Sequence, residues 1–163
     1  MLKNLVDDTR LTFHLIYISI VFKYLPKGEY KMTEREFKAK ATELIQLMIN
    51  TIADKEYTKL VSSIPPKSSW ASYNDAEPTP ENDCLGFGGW LDGQLAMWEE
   101  DENKKFVVDH FNESCLDEIE IEDNNTSFVC YHPTSFGEEL DFWFEIDFEV
   151  KDEQIIAIFD VNM

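Results

Sequence analysis

From Leu140 to Val150 every even position is apolar: Leu140, Phe142, Phe144, Ile146, Phe148 and Val150. The odd positions are Asp141, Trp143, Glu145, Asp147 and Glu149. A period of two over this length predicts a strand with one buried face, because successive side chains point to opposite sides. A second apolar run, Ile155 to Val161, follows Lys151-Asp152-Glu153-Gln154. A hairpin turning at Asp152-Glu153 sets Val150 against Ile155, Phe148 against Ala157, Ile146 against Phe159 and Phe144 against Val161. One face is then wholly apolar, as a core face requires. The other sets Glu145 against Asp160, with Asp147 and Glu149 in the same row. Like charges opposite one another destabilise a sheet, so a chain that keeps this row either tolerates the cost or uses the charge.

Upstream the period changes. Phe37, Ala41, Leu44, Ile45, Met48, Ile49 and Ile52 recur at helical spacing, and Thr33 with Glu36 forms a capping box ahead of them. A helix over 34–53 follows, then a shorter one ending near Ile64, where Pro65-Pro66 stops it. Residues 2–24 carry an apolar stripe beside His14. The β-branched content of 16–21 keeps a strand open there, and Met32 would itself open a compact domain, so 1–31 reads as a loosely attached helix. The stretch 67–89, with Pro78, Pro80 and three of its glycines in 86–89, reads as a long loop joining helices to sheet. Further strands are expected at 94–99, 105–111, 116–122 and 126–132, joined by turn-rich links; 90–99 also fits a helix. The layout predicts one α+β domain over 1–163, with N-terminal helices packed on a bent antiparallel sheet of five or six strands.

Charge adds an asymmetry that the pattern does not contain. The 163-residue chain carries a formal net charge of −19. Residues 1–73 hold 8 acids and 11 bases, whereas 74–163 hold 25 acids and 3 bases, Lys104, Lys105 and Lys151. Such a concentration suits a basic partner and repels nucleic acid. The solvated, merely solubilising face is the plain alternative. Glu145, Asp147 and Glu149 make one ladder of carboxylates, spaced ~6.6–6.8 Å apart on a strand face. Glu118, Glu120 and Glu122 make a second, and Glu99, Glu100, Asp101 and Asp141 add to the load. Trp98 beside Glu99-Glu100, and Trp143 within the acid row, are the aromatic anchors that such an interface would use.

Catalytic and metal chemistry is weakly signalled. Cys84, His110, Cys115, Cys130 and His132 include no C-x-x-C or H-x-x-x-H pair, so no metal site is expected. The acids of 117–123 lack the order and the glycine of a calcium loop. Cys130 and His132 would share a strand face, but a buried cysteine is the commoner reading. Gly86-Phe87-Gly88-Gly89 lacks phosphate-loop spacing and reads as a tight turn entering the sheet. An odd count of 3 cysteines points to a reducing, cytoplasmic setting. The apolar run 11–22 is too short to span a bilayer and lacks the flanks of a signal peptide, so no membrane partner is expected.

In size, in its acid-loaded half 74–163, in the ladders Glu118-Glu120-Glu122 and Glu145-Asp147-Glu149, and in lacking a catalytic motif, the chain resembles small acidic immunity proteins of bacterial toxin systems. Those of contact-dependent growth inhibition are included. That resemblance implies a cytoplasmic, non-catalytic protein without a cofactor. It would neutralise a cognate nuclease-type toxin by covering its basic active site. The helix 34–53 and the strands of 140–161 also look like the cystatin-like or nuclear-transport-factor-like roll. The roll implies an alternative: an enzyme or small-ligand binder with an enclosed pocket holding a buried His or Asp. A nucleic-acid mimic is the second alternative.

Overall fold

The computed structural model describes residues 32–122, 126–151 and 154–163. The expected N-terminal helix with His14, the 11–22 run and the turn Asp152-Glu153 lie outside them, as do the side chains of Glu120, Glu122 and Thr126.

Helix α1 spans Glu34–Ala53. Thr33 and Glu36 close the capping box in both directions: Glu36 N donates to Thr33 Oγ1 at 3.2 Å, and Thr33 N donates to Glu36 Oε2 at 2.9 Å. Its apolar stripe is buried from Phe37 to Ile52. A short 3-10 helix, Tyr57–Ser62, follows, and Pro65-Pro66 ends that segment as expected.

Helix α2, Pro80–Glu102, replaces three expectations: the second half of the 67–89 loop, the tight turn at 86–89 and the strand at 94–99. The helical alternative for 90–99 is the one the chain adopts. Thr79 caps the start by accepting from Asn82 N at 3.2 Å. Pro80 sits in the first turn, where a missing N–H costs nothing. The glycines belong inside the helix because neighbouring chain presses on its backbone. A Cβ on Gly86 would lie 1.9 Å from the Trp70 carbonyl oxygen, and one on Gly88 would lie 2.2 Å from the Tyr57 ring. Close contact there offsets the ~1 kcal/mol that each glycine costs a helix relative to alanine. Asp83, in the first turn, ties down the preceding segment: Ser69 Oγ, Trp70 N and Ala71 N all donate to its Oδ1 at 2.7–3.0 Å.

Among the described residues six strands follow: β1 Glu120–Glu122, β2 Thr126–Tyr131, β3 Thr134–Ser135, β4 Glu138–Glu139, β5 Trp143–Lys151 and β6 Gln154–Asn162. β1, β2, β5 and β6 form an antiparallel sheet in that order, and β3 pairs with β4. The β5–β6 register sets Val150, Phe148, Ile146 and Phe144 opposite Ile155, Ala157, Phe159 and Val161, as the alternation required. The architecture is α+β, with α1 and α2 on the inner face of the four-stranded sheet.

Two strand expectations need correction. The stretch 105–111 joins no ladder: its N–H groups donate mostly to side chains, and its one bond to β3 backbone goes to Thr134. Phe106 N donates to Glu99 Oε1, Val107 N to Ser135 Oγ, Asp109 N to the Thr134 carbonyl and Phe111 N to Asn50 Oδ1. The strand expected over 116–122 shrinks to β1 plus a single bridge between Leu116 and Tyr131.

Aromatic rings fill the space between helices and sheet. Phe87, at the middle of α2, is fully buried and meets Tyr57, Trp70, Trp90, Phe144 and Phe159 at centroid distances of 5.0–6.3 Å. Phe37 of α1 meets Phe148 edge-on at 5.9 Å. Among the described residues no helix is long and apolar enough to cross a membrane.

Candidate partner-binding surface

Burial of the even positions of β5 turns Trp143, Glu145, Asp147 and Glu149 to the outer face of the sheet. The register fixes their cross-strand neighbours. Glu145 lies between Cys130 and Asp160, Asp147 between Phe128 and Ile158, and Glu149 between Thr126 and Ile156. The face is therefore acidic along its middle strand and partly apolar on both sides. Phe128 is 42% exposed and Ile156 47% exposed. Both escaped the sequence reading, although the hairpin register already sent Ile156 and Ile158 outward.

The three carboxylates have different surroundings. Lys67 places Nζ 3.0 Å from Asp147 Oδ2. The backbone of the lysine is fixed beside β6, where its N–H donates to the Phe159 carbonyl at 2.7 Å. Its ammonium is held above the ordinary lysine range, first by the hydrogen bond and charge of Asp147; desolvation opposes this, and Asp160 and Glu145 add to the rise. Glu145 accepts from Trp143 Nε1 at 3.3 Å. Glu149 is exposed, and its carboxylate makes no hydrogen bond or ion pair with any described residue. Between Phe128 and the two isoleucines runs an open groove of about 380 Å³, with Asp147 and Glu149 along it.

The other expected residues gather elsewhere. Trp98 packs inward against Phe106 and Phe142 at 5.9 and 6.0 Å, so it is a core-edge ring rather than a free anchor. Glu99 is occupied by the Phe106 N–H at 3.0 Å. Glu100 and Asp101 are exposed in the last turn of α2, where the helix dipole disfavours negative charge. Asp141 lines a groove with Glu102, Glu138 and Lys104, and Lys104 is paired with Glu138. Glu118 is exposed just before β1; Glu120 and Glu122 lie on β1 opposite Phe128 and Thr126. Trp143 is half-buried, its ring stacked at 6.4 Å on His132. His132 itself sits between Glu139 and Asp117, at 3.3 and 3.5 Å.

The hairpin β3–β4 was not anticipated; the sequence HPTSFGEE reads as a link. Phe136 and Gly137 both take positive φ, +53° and +81°, as a two-residue hairpin turn demands. Asp109 braces this turn by accepting from Thr134 Oγ1, Phe136 N and Gly137 N at 2.8–3.0 Å. Partial burial works against its charge, yet the bonds from Gly137, Thr134 and Phe136 prevail and hold its carboxyl below the ordinary aspartate range.

Two of the thiols, Cys84 and Cys130, offer little nucleophilic chemistry. Burial, then Asp83 and Glu81, pushes Cys84 up to about 11. Burial, then Asp117 and Glu145, raises Cys130. Both stay protonated near neutral pH, and a protonated thiol is a poor nucleophile. Among the described residues no group of three His, Cys, Asp or Glu is placed to hold a metal ion. Compared with protein-family models, curated proteins and solved structures, the chain matches none.

Proposed function

We propose that the chain is a non-catalytic binding protein whose outer sheet face docks on a basic protein, in the manner of an immunity protein covering the active site of a nuclease-type toxin. One observation carries this reading: the carboxylates of Glu145, Asp147 and Glu149 stand in one row on β5, flanked by exposed Phe128 and Ile156. A solubilising surface has no use for exposed apolar side chains among its charges. An interface uses both, the acids to steer a cationic partner and the apolar groups to hold it. The pocket-based alternative calls for a deep site with a buried His or Asp. The buried polar side chains among the described residues are Thr51, Ser127 and Ser135, and rings occupy the space beneath the sheet, which favours the surface reading.

The test is capture on the immobilised full chain, from extracts of the cells that encode it and with the product of the adjacent gene, followed by assay of any captured nuclease. A basic protein is expected, retained by the wild type, inhibited by it, and released when Glu145, Asp147 and Glu149 become Gln, Asn and Gln. Recovery of acidic or neutral proteins alone, or undiminished capture by the triple variant, would refute the proposal.

A further inference from the structure

The outer groove combines two kinds of wall. Across one row of the sheet stand Phe128, Asp147 and Ile158; across the next, Glu149 stands beside Ile156. Asp147 is thus flanked by an aromatic ring on one side, and both carboxylates by branched aliphatic chains on the other. Apolar flanks lower the local dielectric and strengthen each charge that a ligand brings. Successive residues on one strand face are ~6.6–6.8 Å apart, close enough for the Asp147 and Glu149 side chains to serve one ligand. The protein already seats one cation here: Lys67 reaches over β6 to Asp147, while the Glu149 carboxylate pairs with no described residue.

These walls select the occupant. A second copy of the chain would set one carboxylate row against another, and phosphates of nucleic acid or of an anionic lipid surface would meet like charge. A guanidinium fits better than an ammonium. It is planar, stacks on an aromatic face, and spreads five donors over a fork wide enough to serve two acceptors.

Resting on the binding reading above, we propose that this groove is an arginine-docking site for the partner protein. The arginine lays its guanidinium between Asp147 and Glu149 with its plane against Phe128, and its aliphatic stem runs along Ile156 and Ile158. Lys67 competes for Asp147.

The experiment is an amide and methyl NMR titration of the full chain with N-acetyl-arginine amide, N-acetyl-lysine amide and N-acetyl-norleucine amide as probes. Saturable shifts are expected for the arginine probe at Phe128, Ile156 and Ile158, with weaker binding of the lysine probe and none of the norleucine probe. Glu149→Gln and Phe128→Ala should each weaken the arginine probe by up to about fivefold, the scale of one exposed ion pair. Lys67→Ala should tighten it, a gain that damage to the fold does not produce. Equal shifts from the arginine and lysine probes, shifts spread over every acidic surface, or no response to these three substitutions would overturn the proposal. The two readings fail separately. A basic protein captured equally by wild type and Phe128→Ala removes the arginine groove and leaves the docking function. A localised arginine titration without any basic partner does the reverse.

Discussion

The two faces of strand β5 differ in almost every physical respect. On the inner side Phe144, Ile146 and Phe148 are at most 2% exposed and locked among rings from α1, α2 and β6. On the outer side Glu145 and Asp147 are half-buried and Glu149 is exposed, and among the described residues Lys67 pairs with Asp147 alone of the three. A strand must place both sets on the same backbone, because alternate residues cannot share a face. The inner set secures the fold. That leaves the outer set free to serve the proposed partner, at little cost to stability.

Substitutions should separate the two faces cleanly. Phe87→Ala removes the ring around which the inner face is packed, and should cost about 3–5 kcal/mol in urea unfolding. Gly86→Ala places a methyl group against the Trp70 carbonyl and must push the chain at 70 away from α2; a loss of about 1–3 kcal/mol is expected, the range for overpacking. Neither change touches the outer row.

Helices α1 and α2 explain which parts of the fold were legible. α1 displays an aliphatic stripe and a capping box, so its ends and its buried side follow from spacing alone. α2 also has a buried stripe, Cys84, Phe87, Gly88, Leu91 and Leu95 at helical spacing. Two of its contact positions, Gly86 and Gly88, are glycines, and glycine next to Pro78 and Pro80 reads as loop. What those glycines accommodate, the Trp70 carbonyl and the Tyr57 ring, lies 16 and 31 positions away in sequence and leaves no local trace. The hairpin β5–β6 was legible to the residue, since a one-position slip would have turned Phe148 outward. From that register the outward direction of Ile156 and Ile158 followed as well. Phe128 beside Asp147 did not, because it depends on how β2 pairs with β5. The inward turn of Trp98 was equally hidden: its neighbour Phe142 belongs to a distant segment.

A smaller effect is expected at the hairpin that Asp109 braces. Asp109→Asn should cost about 1 kcal/mol, since one amide oxygen replaces a charged acceptor of three hydrogen bonds. The sign with pH follows from the lowered native carboxyl. Its contribution is complete above the ordinary aspartate value of about 4 and fades as pH falls through the lower native value. The wild type should therefore lose stability on acidification in that window, and the Asn variant should show a flatter profile there by circular dichroism.

The smallest change in stability should accompany the largest change in binding. Replacing Glu145, Asp147 and Glu149 by Gln, Asn and Gln removes like-charge repulsion and one exposed ion pair, so unfolding free energy should stay within about 0.5 kcal/mol of wild type. The decisive measurement is the affinity of this triple variant for the captured basic protein, taken beside its urea unfolding curve. An intact unfolding midpoint with binding lost is the expected outcome. An intact midpoint with wild-type affinity would mean that the acidic row serves no partner.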